Sequence, residues 1–187
     1  MLIREISLAE CLRFLTGTRL ARLACAHENQ PYIVPVYLAY HRPLRGEACL
    51  YGFTTPGQKI AWMRSNPLVC VEVEEVTAYD RWVSVIASGR YEELPDVAGR
   101  NGERLLAHEI LQAQAIWWEP ASSVYASRIQ PDAPEPFIPV FYKIRIDHIT
   151  GHEATQDPRE VISDSVAAPP AGRLGRLGRA LSRVFGG

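Results

Sequence analysis

The residues best suited to chemistry lie in the stretch 50–67, LYGFTTPGQKIAWMRSNP. Two hydroxyls, Thr54 and Thr55, are followed by a Pro56-Gly57 turn, then Gln58 and Lys59. A strand-like run precedes them, and a short helical run follows and stops at Asn66-Pro67. These are the parts of an anion seat. Backbone N–H groups at a helix start have no internal partner, and the helix dipole adds partial positive charge there. Threonine hydroxyls can donate to phosphate oxygens, and a lysine adds a full charge. The stretch matches neither a Walker loop nor G-x-G-x-x-G. The same residues also read as a β-turn with a surface lysine.

No other group of residues offers a comparable site. The five histidines are scattered: His27, His41, His148 and His152 fall at turns or strand ends, and His108 lies in a helical pattern. This spacing suits no metal centre. The four cysteines, Cys11, Cys25, Cys49 and Cys70, form no C-x-x-C pair; they read as free thiols suited to a reducing cytoplasm. No catalytic acid or base stands out. Glu72, Glu74 and Glu75 read as a solvated strand face.

The elements that must position the seat are mostly strands. With 47% hydrophobic and 22% charged residues, the 187-residue chain has the composition of a globular protein. A net charge of −1 gives no general attraction to nucleic acid. No run is long and apolar enough to span a membrane, and the N-terminus lacks the pattern of a signal peptide. Ser7 and Glu10 form a capping box for a helix ending near Gly17. Strands are expected over 19–26, 32–40, 48–53, 68–76, 82–91 and 140–149, with a helix over 58–65 and a helical pattern over 102–118. Six strands at regular spacing predict a barrel. Pro35, inside the second strand, belongs at an edge, a bulge or a split in the sheet. Ser84 and Gly89 in the fifth strand leave room for a ligand or another backbone. The folded domain is expected over 1–153 and a flexible tail over 154–187. The tail ends in a basic amphipathic pattern from Arg173 to Phe185, suited to weak contact with an anionic membrane surface or a protein.

Taken together, these segments resemble a known family. RLARLACA, PYIVPVYLAY, the stretch from LYGFTT to VCVEV, SVIASGRYEEL, WWEP and IRIDHITG occur in the order and spacing of the flavin-nucleotide-binding split barrels. These form the pyridoxamine 5′-phosphate oxidase-like superfamily, and the resemblance is to its nitroimidazole-reductase-type branch. It implies a mainly β, α+β fold: a six-stranded antiparallel split β-barrel that forms a homodimer with FMN at the interface. It implies an FMN-dependent oxidoreductase acting on a small molecule. The alternatives are a non-catalytic flavin-binding or sensing module, or a barrel holding haem or a deazaflavin. The resemblance places Thr54, Thr55, Gly57, Gln58 and Lys59 at the phosphate. It places Val34, Pro35, Val36 and Tyr37 at the ring edge, Ser84 along the groove, and Trp117 and Trp118 over the ring. Related resistance proteins carry a histidine where this chain has Phe53, which speaks against nitroimidazole reduction. The basic substrate patch of the vitamin B6 oxidases is missing too.

Overall fold

The computed structural model describes residues 1–44, 46–97, 101–113 and 139–156. Its elements are β1 (Leu2–Glu5), α1 (Leu8–Gly17), β2 (Leu20–His27), β3 (Gln30–His41), β4 (Cys49–Thr54), α2 (Gln58–Ser65), β5 (Leu68–Ala78), β6 (Arg81–Glu93), α3 (Gly102–Gln112) and β7 (Val140–Thr155). All strand pairings are antiparallel, in the order β1-β7-β4-β3-β2-β5-β6, and β6 also pairs with β7. That last pairing closes β2 through β7 into the expected six-stranded barrel. β1 was not foreseen; it joins the ring from outside, along the C-terminal half of β7. The helical pattern expected over 102–118 is met through Gln112. Its remainder, Trp117 and Trp118, and the basic tail lie outside the described residues.

Alternation along each strand sends one set of side chains inward. Leu23, Val71, Val85, Ala87, Tyr142 and Ile144 are fully buried there. The two shorter helices close opposite ends of the barrel. Cys11 and Leu15 of α1 enter the core at one end, and Ile60 and Met63 of α2 at the other. α3 covers the outside of β4 and β7 through a second cluster that includes Tyr51, Phe141 and Ala107. The first residues of β7 are therefore buried on both faces.

The capping box at α1 forms as expected. Glu10 accepts from the Ser7 N–H and hydroxyl, both at 2.7 Å, and Ser7 accepts from the Glu10 N–H. Arg4 of β1 bridges Glu10 at 2.9 Å and also contacts Glu153 of β7.

Inside the barrel, Gly52 makes room for Tyr142. A Cβ on Gly52 would lie 2.3 Å from Cζ of Tyr142 and 2.8 Å from a Leu38 methyl. The Tyr142 hydroxyl is buried with no hydrogen-bond partner among the described residues.

Two predictions follow from this packing. Gly52→Ala overpacks the core and is expected to cost about 1–3 kcal/mol in a denaturant titration. Tyr142→Phe should leave the midpoint unchanged or raise it, because it removes an unsatisfied buried hydroxyl. A further prediction concerns acid. Hydrogen bonds from Arg4 and then Ser7 lower the Glu10 pKa from 4.5 to about 2. A carboxylate depressed in the folded state stabilises fully above its unfolded pKa, and that contribution is lost as pH falls through the folded value. The β1–α1 junction should therefore exchange amide hydrogens faster between pH 4.5 and 2, and Glu10→Gln should abolish that pH dependence.

Candidate functional site

The barrel opens between β3 and β4. These strands pair only where Leu38–His41 meets Cys49–Gly52. Beyond that point β3 stays with β2 back to Gln30, and β4 stays with β7 out to Thr54. Continuing the same register would set Val36 opposite Thr54, but the strands have parted there. Leu38 donates its N–H to the carbonyl of Arg19, the residue before β2. By alternation, the N–H position of Pro35 then points away from β2, toward the open side. The donor that proline lacks is one that no ladder partner would use, so Pro35 sits at the split, one of the places expected for it.

The other lip leads into the turn and α2. Thr54 and Thr55 are half-buried, and among the described residues neither hydroxyl is bonded to a neighbour. Gly57 is the N-cap of α2 and provides no side-chain bond. The first intrahelical bond runs from the Ala61 N–H to the Gly57 carbonyl at 3.0 Å. The N–H groups of Gln58, Lys59 and Ile60 are thus without intrahelical acceptors. The first turn contains no acidic residue. Lys59 is half-buried and makes no ion pair among the described residues. Burial lowers its pKa, and the nearby Cys25 pulls it back up. Burial in turn raises the Cys25 thiol, and the Lys59 charge lowers it.

The fold therefore brings Val34, Pro35, Val36 and Tyr37 to one lip of the split, and Thr54 and Thr55 to the other. Gly57, Gln58 and Lys59 continue from the second lip. It does not bring Ser84 there. That residue lies on the outside of β6, with β2 and β5 between it and β3. Its hydroxyl donates to Glu72 at 3.1 Å. Sequence reasoning missed the electrostatic influence of Lys59 on the Cys25 thiol, which relates α2 to β2 and has no local signature. Among the described residues no group of His, Cys, Asp and Glu could hold a metal ion.

The family model described as pyridoxamine 5′-phosphate oxidase matches residues 7–153. The chain belongs to this family. An uncharacterized protein of Rhizobium meliloti (strain 1021) is 38% identical over 154 residues, covering 82% of this chain and 97% of that protein. The crystal structure of a FAD-binding protein from Mesorhizobium loti is 41% identical, with a TM-score of 0.63, covering 83% of this chain and 99% of that one. A Bacteroides thetaiotaomicron protein, whose name associates it with 5-nitroimidazole antibiotic resistance, shares the fold at 17% identity and a TM-score of 0.57, covering 82% and 89% of the two chains. The split-barrel architecture expected from the sequence is thus the architecture of this oxidase family.

Lys59 has a measurable signature without any ligand. Its folded pKa lies below its unfolded one, so between the two values the unfolded chain binds more protons and stability rises with pH. Below the folded value both states are protonated and the penalty is present in full. Lys59→Met should therefore raise the thermal midpoint of the ligand-free protein at pH 7 and flatten its rise toward alkaline pH.

Proposed function

We propose that this chain binds a flavin nucleotide and acts as an oxidoreductase on a small molecule. One observation carries the reading: a half-buried ammonium with no carboxylate partner among the described residues, at an uncapped helix start beside an open strand edge. Burying a charge without a counter-charge is unfavourable, and a phosphate at this position would offset that cost. The Mesorhizobium loti relative, named as a FAD-binding protein, supports a flavin as the ligand.

Thr54, Thr55 and Lys59 would hold the phosphate, with the N–H groups that open α2. The β3 edge from Val34 to Tyr37 would offer backbone groups to the rim of the ring. The flavin itself supplies the hydride or electron chemistry; the protein supplies position, electrostatics and shielding from water. FMN and FAD share the ring, the ribityl chain and the first phosphate, so this seat suits either. FMN is the form expected from the sequence, and the relative's name favours FAD as a second reading. A homodimer with the flavin between copies belongs to the proposal, since only a second copy could bring Ser84 to the same groove. A cytoplasmic location is part of it as well.

Purified protein should show an oxidised-flavin spectrum that bleaches with NAD(P)H or dithionite, and the mass of the released cofactor decides between FMN and FAD. Lys59→Ala should weaken binding by roughly 1.5–3 kcal/mol, as expected for the loss of a hydrogen bond to a charged group. Colourless protein that ignores both flavins in a titration, or protein with a Soret band, would overturn the assignment. Flavin without turnover would reduce it to a binding or sensing module.

A further inference from the structure

The ladder between β2 and β5 stops early. Its last rung joins Ala24 to Cys70, and the register would next set Ala26 opposite Leu68. Leu38 bonds the Arg19 carbonyl, so odd-numbered residues of β2 turn their carbonyls to β3 and even-numbered ones to β5. Without a rung at that position, the Ala26 carbonyl and the Leu68 N–H each need another partner. Asn66 provides both. Its Nδ2 donates to the Ala26 carbonyl at 3.0 Å, and its Oδ1 accepts from the Leu68 N–H at 3.3 Å. One carboxamide thus takes the place of a rung. Asparagine carries a donor and an acceptor on one short side chain; aspartate has no donor, and serine is too short to span the gap.

Asn66 is also the C-cap of α2 and donates its backbone N–H to the Trp62 carbonyl at 2.8 Å. The interposed carboxamide therefore ties the end of α2 to β2 and β5 together. Lys59 and Asn66 are seven residues apart, about two helical turns, so they share one face of α2. Trp62 lies between them, its ring 5.7 Å from that of His27 and 5.5 Å from that of Tyr32. The end of β2 meets this face residue by residue. Cys25 feels the charge of Lys59, Ala26 holds Asn66, and His27 Nδ1 lies 2.9 Å from the Ser65 hydroxyl. Ile60 and Met63 bury the neighbouring face. Apolar contact is non-directional, whereas the Asn66 bridge is directional and fixes the rotation of the helix.

We propose that Asn66 is a positioning residue for the anion seat: its bridge holds the rotation of α2 that keeps the Lys59 ammonium half-buried beside β2. The inference rests on the flavin-nucleotide reading for what the seat binds, but the place of Lys59 can be read in the empty protein.

Two arms test it. In ligand-free protein, burial of Lys59 makes stability rise toward alkaline pH. Asn66→Ala frees α2 to turn Lys59 into water, so that rise should flatten although the lysine is intact. Cys25, the titratable group facing Lys59 from β2, is unaltered in every chain compared. Lys59→Met should raise the thermal midpoint less in the Asn66→Ala chain than in the unaltered one. Leu15→Ala, which opens a cavity at the opposite end of the barrel, should lower the midpoint and keep the rise. In the second arm, FMN should bind Asn66→Ala about tenfold more weakly than the unaltered chain, because a seat that must be ordered on binding loses affinity. Asn66→Ser, a milder change that still cannot bridge, should repeat both results. An undiminished alkaline rise in the Asn66 variants, or additive effects of Asn66→Ala and Lys59→Met, overturns the proposal. So does an equal loss of the rise in Leu15→Ala, which would assign the effect to general destabilisation. Unchanged FMN affinity in the Asn66 variants overturns it as well. If the unaltered chain binds neither FMN nor FAD, the flavin reading fails, and the ligand-free arm decides for or against Asn66 by itself.

Discussion

Closing a barrel requires every strand to find a neighbour on both sides, and β3 and β4 meet that requirement over only part of their length. Backbone groups removed from a ladder need another partner, so a split is tolerated only where something else can bond them. The local sequence suits the parting. Pro35 has no N–H to leave stranded on the open side. Gly52, at the last pair before the gap, makes room for Tyr142 beneath it. Past Gly52, β4 follows β7 instead and delivers Thr54 and Thr55 to the turn. Ile60 and Met63 then seat α2 in the core, which fixes the direction of its first N–H groups. The candidate site thus depends on where the β3–β4 ladder stops.

Much of this was legible because it is local. The capping box at Ser7, the limits of α2, the six barrel strands and the edge character of Pro35 each follow from residues close together in the chain. What could not be read depends on distant pairing. β1 is four residues long, too short for a periodic signal, and its partner is the far end of β7. The last strand was expected to end at 149, but it runs on through Gly151 to Thr155. A Cβ at Gly151 would come within 2.8 Å of the Cys11 thiol and of Ile6, so the glycine admits α1 and its preceding residue instead of stopping the strand.

Ser84 and Gly89 show how one signal can have different causes. Both read as small residues leaving room for a ligand or another backbone. At Gly89 the neighbour is backbone: an added Cβ would lie 2.1 Å from the Arg145 carbonyl oxygen, at an irregularity between β6 and β7. Ser84 is occupied by Glu72, which itself faces Arg22 at 3.4 Å. The seat residues differ in kind. Their types were legible at Thr54–Lys59, but burial of the lysine and absence of a carboxylate beside it are properties of the assembled end of the barrel.

Two lysines and two helix starts in this molecule are handled in opposite ways. Burial works against the charge of Lys143 as well, yet Glu103 at 2.7 Å and Glu92 at 3.3 Å outweigh it, and its pKa rises. Tyr51 also donates to Glu103, so that lysine belongs to a network pinning α3 to β4 and β7. Among the described residues Lys59 has no such neighbour, and its pKa falls. The start of α1 is capped by Ser7 and Glu10, with Arg4 balancing the carboxylate; the start of α2 has a glycine cap and no acid in its first turn. The chain thus contains the means to neutralise a half-buried lysine and to satisfy a helix start. At α2 it uses neither, and both omissions leave positive charge at the same few atoms. Neither would help the empty protein fold, whereas both become favourable once an anion lies across them.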